Sequence, residues 1–94
     1  VEGKNVQVDI LIASVRAALA DLRAQRLVFV QQARAHCRAA RTLLGTGHPA
    51  AGVGQLLYAE EQRSRARHAG VEIQIRSAEL AELNEKKRRP RNPS

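Results

Sequence analysis

The chain has 94 residues, a formal net charge of +7 with histidine neutral, and only 2 % aromatic residues. That length allows one domain at most, and with Phe29 and Tyr58 as its only aromatics and no Met or Trp it lacks the side chains that fill a broad globular core. A lone cysteine, Cys37, excludes an intramolecular disulfide, and no apolar run is long enough to span a bilayer.

The apolar residues are Ala, Leu, Val and Ile, which suit narrow helix–helix seams. The positive balance favours an acidic partner: nucleic acid, an anionic membrane surface or an acidic protein. No charged start followed by an apolar run marks a signal peptide. The expected compartment is therefore the cytoplasm, with export that needs no signal peptide as the alternative.

Residues 1–6 read as a short leader, and residues 7–44 as a long helix. In the helix Val8, Ile12, Val15, Leu19, Leu22, Phe29, Ala33, Cys37, Ala40 and Leu44 recur at threes and fours, one face of an α-helix. Arg26 breaks this seam with a charge. Arg16, Arg23, Arg34, Arg38 and Arg41 form a second stripe beside it, within an arc of about 60° at the helical step. No acid occurs between residues 22 and 44, so this is a one-sided basic face.

Residues 45–54 read as a loop or broken turn, with Gly45, Gly47 and Pro49 ending the first helix. The spacing of Gly47 and Gly52 matches the first part of a phosphate-binding loop, but Val53 and Gly54 stand where Lys and Ser or Thr are required. Backbone amides near Gly52 and Gly54 could still meet an anion at the start of a second helix.

Residues 55–87 read as that second helix, with a seam of Ala59, Gln62, Ala66, Ala69, Ile73 and Leu80. Gly70 interrupts it, and Val71 to Ile75 alternates like a strand, as does Val6 to Ile10. An α+β alternative with short strands near 6–12 and 71–76 therefore stands beside the helical reading. Residues 88–94 form a basic tail with Pro90 and Pro93. Lys86, Lys87, Arg88, Arg89 and Arg91 put five positive charges into six residues, a pattern that contacts phosphates through charge alone.

His36, Cys37, His48 and His68 have no metal-ligand spacing; a seam cysteine and surface histidines are expected, and no metal or cofactor. Glu60, Glu61, Glu79 and Glu82 sit in charge-alternating helical sequence and read as ion-pair partners of Arg63, Arg65, Arg76 and Lys86 rather than as catalytic acids.

Two long helices about a Gly-containing break resemble the small Trp-x-Gly helical-hairpin proteins exported by type VII secretion systems. The resemblance covers most of the chain as architecture. The break reads Gly45-Thr-Gly47 without the tryptophan, and Tyr58 is followed four residues on by Gln62 where the family's export signal has an acid. The resemblance implies dimerisation with a related small protein and no enzyme activity. Coiled-coil hairpins such as the stalk proteins of type III export share the general shape.

The expected fold is an all-α antiparallel helical hairpin in a single domain spanning 1–94, associating into a helical bundle. The expected function is a non-enzymatic interaction or assembly module that self-associates or binds an acidic protein. Val8, Ile12, Val15, Leu19, Leu22, Phe29, Ala33, Ile73 and Leu80 are its expected seam, and Val28, Val30, Val71 and Ile75 are apolar edges left over for a second contact. The alternative is an accessory protein that grips the phosphate backbone of nucleic acid through the Arg stripe and residues 86–91.

Overall fold

A computed structural model describes residues 2–89, and side chains from Val6 onward. Helix α1 spans Glu2–Gly45 and helix α2 spans Pro49–Arg88, and the two pack antiparallel along their length. The described residues contain no strand. The hairpin is a rod with extents of 76 × 16 × 12 Å and a radius of gyration of 21.1 Å. A compact globule of this length would have a radius of about 12 Å.

The break is narrower than expected. Only Thr46, Gly47 and His48 lie between the helices, not residues 45–54. Gly47 has a φ of 81°, the left-handed conformation that ends helices. The His48 amide donates to the Leu43 carbonyl at 2.8 Å and the Gly47 amide to the Leu44 carbonyl at 3.5 Å, the paired bonds of a Schellman motif. Pro49 then occupies the first turn of α2, where its missing N–H leaves no bond unmade. The Gly52 amide donates to the His48 carbonyl at 2.9 Å, so it is spent inside the helix rather than offered to an anion.

Residues 49–54 are helical despite two glycines because Gly52 sits where the helices approach closely. A Cβ there would lie 2.7 Å from Leu44 Cγ. The leader expected at 1–6 is also wrong from Glu2 onward, because α1 begins there. At the far end α2 continues through Arg88, into the expected tail, with Lys86, Lys87 and Arg88 in its last turn, where cations complement the helix dipole. Arg91, Pro90 and Pro93 lie outside the described residues.

The strand alternative fails for a physical reason. Segments 6–12 and 71–76 continue helices already nucleated by their neighbours, and an isolated strand pair is marginal. In the helical arrangement Val8, Ile12 and Ile73 turn toward the seam, while Val6, Ile10, Val71 and Ile75 face outward.

The seam follows alternating steps of four and three in both helices. In α1 it runs Val8, Ile12, Val15, Leu19, Leu22, Arg26, Phe29, Ala33, His36, Ala40 and Leu43. In α2 it runs Gly52, Gln55, Ala59, Gln62, Ala66, Ala69, Ile73, Arg76, Leu80 and Leu83. Every one of these except Arg26 is buried or half-buried. The mean spacing of 3.5 residues is that of a left-handed coiled coil. All nine expected seam residues lie on this line. Leu44 does not: it leans over Gly52 and stays 45 % exposed. His36 and Cys37 exchange their expected places, with His36 on the seam and Cys37 one step outside it, both half-buried.

Near the turn the buried seam positions are Ala33, Ala40, Gly52, Ala59 and Ala66, with His36, Leu43, Gln55 and Gln62 half-buried between them; toward the open end the seam carries Ile12, Val15, Leu19, Ile73, Leu80 and Leu83. The best-buried large side chains are Leu19 at 3 % and Ile12 at 5 % exposure.

Candidate functional site

Small seam residues bring the flanks of the two helices close together near the turn, and the flanks there are basic. Arg34, Arg38 and Arg41 project from α1. Arg63 and Arg67 project from α2 across a groove of ≈ 590 Å³. Val30, Ala33, Cys37 and Ala66 form its floor. Arginines from both helices thus line an apolar trough.

Glu60 is the acid that engages this rim. Its carboxylate accepts a hydrogen bond from Arg67 at 2.9 Å and lies 3.8 Å from Arg63. The Arg67 hydrogen bond and charge, followed by Arg63, hold the Glu60 carboxyl below its ordinary value. Arg63 also donates to Cys37 Sγ at 3.1 Å, tying the α2 rim to the α1 floor. Among the described residues no carboxylate lies within 4.0 Å of Arg34, Arg38 or Arg41, so these cations face solvent uncompensated.

Arg16 and Arg23 continue the same side of α1 toward the open end, and both are exposed. From Arg16 to Arg41 the stripe covers about 37 Å at the helical rise. The C-terminal cations behave differently. Lys87 pairs with Asp9 at 2.6 Å, clasping the open end, and Arg89 lies 3.7 Å from Glu85. Lys86 and Arg88 are exposed and carry no such pair among the described residues. Arg65 is paired with Glu61 at 2.8 Å. Arg76 donates to both oxygens of Glu79, which raises the Arg76 pKa above its ordinary value.

The sequence reading missed Arg63 and Arg67 as parts of one basic site because local ion pairing explained Arg63 well enough. Part of the signal was present in α2: Gly52, Ala59 and Ala66 recur at sevens and mark the seam, with Arg63 and Arg67 together on one flank of it, but the level of α1 that this flank meets depends on how the two helices are set against each other.

Histidines play local roles. His36 Nδ1 donates to Gln55 Oε1 at 2.7 Å, and its ring centroid lies 5.5 Å from that of Tyr58. Among the described residues no three His, Cys, Asp or Glu side chains are grouped to hold a metal ion. No described helix is long and apolar enough to cross a membrane.

Comparison with known proteins returned no match among family models, curated proteins or solved structures.

Proposed function

We propose that this protein is a non-enzymatic helical interaction and assembly module that self-associates through apolar surface outside the hairpin seam and works in the cytoplasm. One observation carries the reading. The residues buried near the turn are Ala and Gly alone, while Val6, Ile10, Leu11, Leu27, Val28, Leu44, Val53, Leu56, Leu57, Tyr58, Val71 and Ile75 remain 43–68 % exposed. A two-helix rod in water gains stability by covering such side chains with further helices. Val28, Val71 and Ile75 belong to this surface; Val30 is half-buried in the groove floor. The two-helix hairpin is compatible with the architecture of the type VII hairpin proteins, a resemblance that would imply pairing with a small helical protein.

The stripe of Arg16, Arg23, Arg34, Arg38 and Arg41, exposed and without an ion pair among the described residues, favours a second reading, a basic accessory protein on the phosphate backbone of nucleic acid. Salt separates the two. Light scattering on the eluting protein, at low and high salt and with a short duplex DNA, is expected to give an oligomer at both salts that ignores the duplex. A monomer at both salts, or an oligomer at low salt alone, overturns the assembly reading. A salt-sensitive shift with the duplex establishes the second.

A further inference from the structure

The groove near the turn combines features that a phosphate chain does not need together. Its floor is apolar, built from Val30, Ala33, Cys37 and Ala66. Its rim is cationic on both sides, with Arg34, Arg38 and Arg41 facing Arg63 and Arg67. We infer that this groove seats an acidic amphipathic helix of a partner protein, with the apolar face of that helix on the floor and its carboxylates on the arginine rim. The inference rests on the interaction-module reading and names the chemistry of the partner.

Shape comes first. The trough between two antiparallel helices is where a third helix packs, its side-chain ridges entering the groove. Alanines in the floor leave room for Leu-sized side chains to enter. A phosphate backbone would leave that apolar floor uncovered or desolvated for no gain, since phosphates are held by charge. The rim also lacks an aromatic platform for unpaired bases: neither Phe29 nor Tyr58 lines the groove.

Charge chooses the partner's sign and its source. A guanidinium offers a planar fork matched to a carboxylate, and one rim arginine already holds a carboxylate by a single bond, from Arg67 to Glu60 at 2.9 Å. Arg34, Arg38 and Arg41 have no such acid among the described residues, and α1 offers none between residues 22 and 44. A second copy of this chain, itself at +7, is a poor source. The acids therefore come from a different protein.

Fluorescence anisotropy tests this on the full chain with three labelled probes. The first is a synthetic amphipathic helix with Leu on one face and Glu on the others. The second has the same residues in shuffled order, and the third is a short duplex DNA. The amphipathic peptide is expected to bind at least about tenfold more tightly than the shuffled one. Arg38→Glu combined with Arg41→Glu, both exposed positions, is expected to weaken it by about tenfold or more with helicity by circular dichroism unchanged. Glu60→Gln removes the one acid that engages the rim among the described residues and is expected to tighten binding. Equal binding of both peptides, no peptide binding, or tighter binding of the duplex at the same salt overturns the inference. Light scattering on the same samples keeps the two readings apart. An oligomer that ignores the peptide overturns the groove alone, and a monomer that binds it overturns self-association alone.

Discussion

Three glycines show how differently one residue type acts along this chain. Gly47 supplies the positive φ that closes α1, a conformation that a Cβ disfavours by about 1–2 kcal/mol. Gly52 supplies absence of bulk, since its missing Cβ would fall 2.7 Å from Leu44 Cγ. Gly70 supplies neither: the nearest atom to a Cβ there is Arg26 Nε at 3.9 Å, and the position is helical. Gly70→Ala is therefore expected to raise stability by about 1 kcal/mol through helix propensity. Gly52→Leu is expected to lower it by about 1–3 kcal/mol through overpacking. Thermal melts followed by circular dichroism compare the two, and a loss of stability at position 70 would show a close contact there after all.

At the scale of the helices, the seam explains both continuity and its weak point. Alternating steps of three and four hold α1 and α2 in one frame past Gly70 and past the alternating segment 71–75, where local pattern alone favoured a strand. The frame also places Gln62 in the seam, where its buried Oε1 has no hydrogen-bond partner among the described residues. A buried acceptor left unpaired costs about 1–3 kcal/mol. Replacing it by an apolar group of similar size, Gln62→Leu, is expected to raise the urea midpoint with an unchanged slope. A lower midpoint would mean that the amide is satisfied by water in solution.

For the molecule as a whole, the rod shape sets the energetics. An elongated hairpin exposes much of its surface, and its turn-proximal seam, rich in Ala and Gly, contributes little apolar burial per residue. Ion pairs on so exposed a surface add little, Lys87 with Asp9 included, because both partners are half exposed and screened by salt. If association supplies the missing burial, the melting temperature rises with protein concentration. It also holds when salt is raised, since apolar burial is not screened. Calorimetry over a range of concentrations checks this, and a melting temperature independent of concentration would mark a self-sufficient monomer.

The sequence by itself determined the helical period, the turn between two long helices, the line of the seam except for its turn-proximal end in α1, and the segregation of arginine to one side of α1. These are properties of single helices, written at spacings of three and four. It could not decide the width of the break, because Pro49 and Gly52 read as breakers until the Schellman turn and the approach of Leu44 are in place. Nor could it exchange His36 for Cys37 on the seam, or bring Arg63 and Arg67 opposite Arg34, Arg38 and Arg41. Those outcomes depend on the register of one helix against the other, and register is set by small residues meeting across the seam, which no single helix contains.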